Sequence, residues 1–331
     1  MPALISVNDV KKRFNLEAGF FASMGRYVYA VNGLSFEIGE NESYGLAGES
    51  GCGKTTAARL LVRMYKNDGG SIRYRDRDIG SFNKKELAFY RQKVKYVFQD
   101  PAKSLNPRMS IYNVLVSGLR RRGSGEMRNA GGENNYLRKK AAAIMEETGL
   151  SETDLDRRPA EFSGGQRQRI SIARGLLAEP ELLICDEVVS ALDVSIQAQI
   201  LNLLCDIRKK RVISFLFIAH DLKVASWFCD RIGVMYRGEM MEEAPAANLY
   251  KTAAHPYTQL LFSSALNSDT AENANEETVK GEIKTALEEI SGCAFAERCP
   301  RSSERCYREK PPFTEITPGH KLRCFQSSVP L

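Results

Sequence analysis

The sequence predicts an α/β protein: a parallel sheet wrapped by helices, interrupted by a helical subdomain and followed by a small cysteine-containing appendage. Three observations carry this. Residues 163–245 alternate helical and strand-like patterns, as a parallel sheet with crossover helices requires. Three short apolar runs, ending at Phe98, Cys185 and Ala219, are each followed at once by a polar residue: Gln99, Asp186 and His220. The glycine-rich turn Gly48 to Thr56 joins a strand-like run, Ser43 to Ala47, to a helical pattern, Ala57 to Met64.

The elements follow in order. Residues 1–40 read as short alternating strands with an aromatic insertion, Phe20 to Tyr27. The turn Gly48-Glu49-Ser50-Gly51-Cys52-Gly53-Lys54-Thr55-Thr56 matches G-x-x-x-x-G-K-[ST] without a gap. Its glycines let backbone N–H groups close around phosphate oxygens, and the following helix start adds partial positive charge. Lys54 suits the β- and γ-phosphates of a nucleotide such as ATP, and the Thr55 hydroxyl suits Mg²⁺. Gln99 supplies an amide for Mg²⁺ or for water. Residues 101–162 read as mostly helical, with a polar break from Arg121 to Asn135 expected to be a loop.

A second glycine-rich turn, Phe162-Ser163-Gly164-Gly165-Gln166, opens the helical run Arg167 to Leu177. It offers another set of N–H groups to a phosphate, more than a hundred residues after the first. Two cradles and one nucleotide per chain imply that the second serves a partner's nucleotide. The apolar run Leu182 to Cys185 then ends in Asp186-Glu187. Carboxylates there are costly unless they meet a cation or a proton-transfer task. Asp186 suits the Mg²⁺ shell, and Glu187 suits a general base for attacking water. Ser190-Ala191-Leu192-Asp193 follows in a turn placed to approach a partner, and His220 ends a buried strand where a γ-phosphate is expected.

Behind this lies a polar segment, Asn267 to Thr278, expected to be an exposed loop, and a tail with four of the eight cysteines: Cys293, Cys299, Cys306 and Cys324. Clustered thiols in a reducing compartment suggest a metal rather than disulfides. The spacing C-x₅-C-x₆-C-x₁₇-C lacks zinc-ribbon knuckles, and Cys299-Pro300 faintly echoes iron–sulfur ligation. Spacing alone leaves metal and free thiols both open.

Composition narrows the class. The chain has 331 residues, 43% apolar and 27% charged, which suits a globular core plus an appendage. No apolar run approaches the roughly 18–20 residues that span a bilayer, and the N-terminus lacks signal-peptide features. A cytosolic chain whose membrane role runs through a partner is expected. The net charge of +6 is scattered. No basic stripe interleaved with aromatics suggests a nucleic-acid partner.

The order Gly48–Thr55, Gln99, Phe162–Gln166, Asp186–Glu187, Ser190–Asp193 and His220 resembles the ATP-binding subunit of an ABC transporter, over about residues 5–245. The resemblance implies a phosphate-loop, RecA-like ATPase core (residues 1–245, helical subdomain about 101–162) with a C-terminal domain at 246–331. It also implies head-to-tail dimerisation, so that Ser163, Gly164, Gly165 and Gln166 complete the partner's ATP site. An aromatic before the second strand stacks on adenine in that family; Tyr27 is the candidate by position, with Phe14 and Tyr29 as alternatives. Phe162 stands where Leu is commoner, and Val188 where many members have Pro. Neither touches a polar group with a chemical task.

The runs Gln99 to Met109, Cys185 to Ser195 and His255-Pro256-Tyr257-Thr258 are similar to oligopeptide and dipeptide importers. The last of these, taken alone, also fits a surface turn. Gly292 to Pro300 and Gly319-His320 with Cys324 look like the same group's C-terminal domain, some members of which hold a [4Fe–4S] cluster through four such cysteines. His320 is expected to support that site or to cap a turn. The resemblance implies import energised at the cytoplasmic face of the bacterial membrane. Its partners are a second ATPase subunit (commonly a distinct one), two permeases and, indirectly, an extracytoplasmic substrate-binding protein. Related importers carry nickel, glutathione or oligosaccharides. Soluble ABC ATPases share the ATP site, but usually add a long coiled coil or a second ATPase domain.

Overall fold

The structure, a computed structural model, describes residues 3–15, 27–120, 130–190, 192–267 and 290–326. It divides into two compact units: the chain up to Phe82 with Leu216 onward, and Asn83–Phe215. The segment 16–26, which holds most of the aromatic insertion, and the polar segment from residue 268 lie outside the described residues, as does Ala191.

In the first unit, β1 (Ala3–Asn15) and β2 (Tyr27–Gly39) pair antiparallel, Ile5 facing Ile38 and Phe14 facing Val28. Short strands were expected. Each is instead 13 residues long, because register shifts around Val7–Val10, with Asp9 at φ 47°, absorb the breaks in alternation. β3 (Ser43–Ala47) is buried throughout and leads through the glycine turn into α1 (Lys54–Leu61). β4 (Gly69–Tyr74) returns against β1, and β5 (Arg77–Asp78) folds back on β4.

The second unit opens with α2 (Lys84–Lys93), started by a reciprocal Asn83–Glu86 cap, and runs into β6 (Val94–Val97). Its helical part holds α3 (Pro101–Ser104), α4 (Ile111–Arg120) and α5 (Ala130–Glu147). The apolar face of α4, Ile111, Val114 and Leu115, is buried, as are Ala141, Ile144 and Met145 of α5 against which it packs. The polar stretch expected to be a loop to Asn135 is helical from Ala130. Asn134 accepts a 2.5 Å hydrogen bond from the Tyr112 hydroxyl, which anchors that end. The unit continues through α6 (Gly164–Leu176), β7 (Leu182–Asp186) and α7 (Val194–Lys210).

The chain then forms β8 (Ser214–Ala219), α8 (Leu222–Phe228), β9 (Arg231–Tyr236) and β10 (Glu239–Pro245). β3 and β9 are parallel, as the sequence predicts for the sheet. β9 and β10 form an antiparallel hairpin turning at Arg237-Gly238, where Gly238 has φ +83°. α9 (Ala246–Thr252) and α10 (Pro256–Asn267) precede the tail, which carries α11 (Glu304–Arg308), β11 (Thr314–Thr317) and β12 (His320–Leu322).

β12 pairs antiparallel with β10, Glu242 opposite Leu322, so the tail extends the sheet in the order β11-β12-β10-β9-β3-β8. Three carboxylates of β10 are buried: Glu239, Glu242 and Glu243. Each has a cationic or hydrogen-bonding partner, as burial demands. Glu239 takes Lys310 and Asn32, Glu242 takes His320 at 2.6 Å, and Glu243 takes Arg231. His320 therefore serves as a buried partner of Glu242 and does not cap its turn. His255, Tyr257 and Thr258 are also buried, so this run is core rather than a surface turn. Burial lowers the His255 pKa to about 4 and keeps its ring neutral, with Nδ1 accepting from the Tyr257 N–H.

Candidate active site

The phosphate loop lies in the first unit. β3 delivers the chain to Gly48 at φ +146°, where a Cβ would lie 2.3 Å from the Met235 carbonyl oxygen. At the far end Gly53, φ +107°, would carry a Cβ 2.1 Å from the Ala30 carbonyl oxygen. Between them the loop is tied to the β9–β10 turn: the Gly238 N–H donates to the Cys52 carbonyl, and the Asn32 N–H to the Gly238 carbonyl. Ser50 and Gly51 form the exposed crest. Lys54 is 4% exposed, and its Nζ donates to the carbonyls of Gly48 (2.6 Å) and Glu49 (3.0 Å). The loop thus closes around the ammonium at the first turn of α1, where Thr55 and Thr56 follow. Burial raises the Cys52 thiol pKa and keeps it inert. His220 stands exposed just past β8, followed by Asp221 as the cap of α8.

The second unit carries the acids. β6 and β7 are parallel with Val97 opposite Cys185, so two residues further on Gln99 falls beside Glu187. The Gln99 amide donates to Glu187 Oε2 at 2.7 Å. Tyr96, opposite Ile184 in this register, reaches two residues further along β7 and donates its hydroxyl to the Asp186 carboxylate, which is 3% exposed. Glu187 has φ 48°, an uncommon backbone state for a residue with a side chain, and Ser190 holds it by donating Oγ to its carbonyl at 2.9 Å. The two acids thus leave β7 with different surroundings. Asp186 is buried and anchored, whereas Glu187 is half-exposed and touched by one amide.

The second cradle is in this unit too. Ser163 caps α6 in a reciprocal box with Gln166, Oγ accepting at 3.3 Å and Oε1 accepting at 3.0 Å from the Ser163 N–H. Ser163 and Gly164 are exposed, while Gly165 is buried with room for no side chain: a Cβ would lie 2.7 Å from Ile196 Cγ2. Asp193 caps α7, accepting from the Ile196 N–H at 3.0 Å, and those bonds lower its pKa. Of the adenine candidates, Tyr27 opens β2 with the Arg13 guanidinium 4.4 Å above its ring. Phe14 meets Tyr65 edge-on, and Tyr29 is half-buried on β2.

Sequence reading missed Tyr96 and Arg298. Tyr96 is legible only once the β6–β7 register is known. Arg298, in a short helical turn of the tail, pairs with Glu49 of the phosphate loop.

Cys293, Cys299, Cys306 and Cys324 all line one small pocket with His255, Phe295 and Phe325. Burial, together with the neighbouring thiols, pushes Cys293 up to about 11. Among the described residues no three His, Cys, Asp or Glu side chains converge closely enough to hold a single metal ion.

The glycine cradle closed on a lysine in the first unit is that of a phosphate-loop nucleotide-binding protein, and the second unit by itself holds two strand-end acids with an amide beside the outer one. Comparison with known proteins gives the family. The ABC transporter model matches residues 31–190, and the oligopeptide/dipeptide transporter C-terminal region matches 241–306. The chain is 40% identical to the oligopeptide transport ATP-binding protein AppF of Bacillus subtilis over 97% of its length and 96% of that protein's, and 40% identical to YkfD of the same organism over 97% and 94%. Among solved structures, the dimeric ATP-binding cassette MJ0796 in a post-hydrolysis state with ADP and Pi aligns with TM-score 0.62 and 26% identity, covering 73% of this chain and 98% of that one. The chain belongs to the ABC transporter ATP-binding proteins, and its enzymatic activity is ATP hydrolysis coupled to transport.

Proposed function

We propose that this chain energises import of oligopeptides or dipeptides, working at the cytoplasmic face of the membrane with a second ATPase subunit and two permeases. The observation that carries the reading is the 241–306 match to the oligopeptide/dipeptide transporter C-terminal region, on a chain that keeps every polar group of the ATP motifs. Among the described residues no helix is long and apolar enough to cross a membrane, which fits a subunit docked on permeases.

In this reading Lys54 and the loop amides hold the phosphates, and Thr55, Gln99 and Asp186 hold Mg²⁺. When bound, that ion would supply positive charge that neutralises the phosphates. Glu187 takes the proton of the attacking water, with Gln99 orienting its carboxylate, and His220 meets the γ-phosphate. Ser163, Gly164 and Gly165 serve the partner's nucleotide, Asp193 faces that partner, and the partner is a distinct ATPase chain. The ATPase domain is residues 1–245 and the importer-type domain 246–331. Co-expression with the two permeases and the substrate-binding protein tests this. The expected result is a copurifying complex whose ATPase rises when peptide-loaded binding protein is added. Stimulation by nickel, glutathione or oligosaccharide instead would reassign the cargo, and no association with permeases would refute transport.

The four tail cysteines, we further propose, hold a [4Fe–4S] cluster. What supports this reading is that all four cysteines line one small pocket, since such clusters are held by cysteine thiolates. The Gln326 N–H already donates to Cys324 Sγ at 3.3 Å, a contact of the kind that tunes cluster sulfurs. The cluster would supply a cross-link and a redox-active centre. Anaerobic purification should yield brown protein with about four iron per chain; colourless protein with stoichiometric zinc would sink the idea.

A further inference from the structure

We infer that Arg298, carried by the tail, is a positioning residue of the ATP site: it grips and neutralises Glu49 inside the phosphate loop. The inference rests on the phosphate-loop reading above and adds to it a role for the C-terminal segment. Glu49 follows Gly48 directly, and its carboxylate belongs to a loop that receives a polyanion. An unpaired carboxylate there would repel the triphosphate. The Arg298 guanidinium meets it with two parallel bonds, Nη1 to Oε2 at 2.7 Å and Nη2 to Oε1 at 2.9 Å.

This fork geometry fixes direction as well as charge, which a lysine would not do equally. The arginine is itself held. Its side chain is 11% exposed, its plane lies near the rings of Tyr236 and Phe295, and Nη1 also reaches the Tyr236 hydroxyl at 3.3 Å. A second group from beyond the core, the Tyr257 hydroxyl, accepts the Glu49 backbone N–H at 2.9 Å. Tyr236, Tyr257 and Phe295 pack on one another with ring centroids 4.7–5.2 Å apart. Both the carboxylate and the amide of Glu49 are therefore set by residues far along the chain. The loop's shape is fixed before nucleotide arrives, and preorganisation of that kind appears as affinity.

The test is MgATP binding and hydrolysis by the full-length chain. Arg298→Ala should raise the MgATP Kd roughly tenfold, as expected when one partner of a hydrogen-bonded charge pair is left alone, and kcat at saturating ATP should fall less than about threefold. Adding Glu49→Gln to Arg298→Ala should recover most of the affinity, because the uncompensated charge is gone. A merely structural arginine would show no such rescue. Should Arg298→Ala lose its melting transition, Arg298→Gln carries the same test. An unchanged Kd in a folded Arg298 variant, while Lys54→Ala loses binding, overturns the inference and leaves the loop reading standing. An unchanged Kd in Lys54→Ala removes both.

Discussion

Glu187→Gln is expected to lower ATP turnover by at least about a hundredfold, the scale of a lost general base, while leaving MgATP affinity within a few-fold of the parent. The two halves of that expectation have different physical origins. Turnover falls because an amide cannot take the proton from attacking water. Affinity survives because the substitution removes a charge without removing a shape. Glu187 touches Gln99 through one N–H···O bond of 2.7 Å, and an amide at position 187 can still accept it through its own oxygen. Gln is no worse than Glu at φ 48°, so the backbone strain already present is unchanged. In the reading proposed above, binding without turnover would also accumulate the state in which the second cradle meets the partner's nucleotide. Mixed with the proposed partner ATPase chain, the variant should therefore run as a heterodimer on gel filtration in MgATP and as separate chains without it. Single-turnover hydrolysis within about threefold of the parent would remove Glu187 from the base role and leave Asp186 or His220 to be tested.

Asp186 and Glu187 show what a sequence reading reaches and where it stops. Both were legible because a buried apolar strand ending in two acids is costly without a task, and that cost is local. The difference between them was not legible. Tyr96 anchors Asp186 and Gln99 touches Glu187 because β6 and β7 run parallel with Val97 opposite Cys185, a register that no single strand encodes.

The same holds for the tail. Four cysteines announced themselves by clustering, but the Arg298–Glu49 pair spans 249 positions and joins two residue types that are ordinary on a surface. His320 reads in the sequence as a support for the cysteine site or a turn cap because its partner, Glu242, becomes adjacent only when β12 adds to β10. The sheet follows this logic too. The parallel pairing of β3 with β9 follows from strands alternating with helices, whereas the antiparallel edge depends on β12 of the tail adding to β10.

Gly53→Ala is the second change expected to have a large effect, and its contrast with Gly51→Ala separates structure from motif. Both glycines have positive φ, +107° and +80°, so an alanine at either is strained by about 1 kcal/mol. At Gly51 the account ends there, since a Cβ meets nothing within 4 Å on the exposed crest. At Gly53 the Cβ would lie 2.1 Å from the Ala30 carbonyl oxygen, a distance that no rotamer relieves because both groups are backbone.

Relief must come from moving β2 or the loop, and both are tied. The Asn32 N–H donates to the Gly238 carbonyl and the Gly238 N–H donates to the Cys52 carbonyl, each within 2.9 Å, so the shift propagates around this ring to the residue before Gly53. Close-packed backbone transmits such strain instead of absorbing it. Gly53→Ala should therefore cost roughly 3 kcal/mol or more of stability, at the upper end of single substitutions, and abolish MgATP binding at millimolar nucleotide. Gly51→Ala should lower the melting temperature by only about 2–4 °C and keep binding. Equal behaviour of the two in a melting series with and without MgATP would mean that the loop is not braced by β2 and the β9–β10 turn as described.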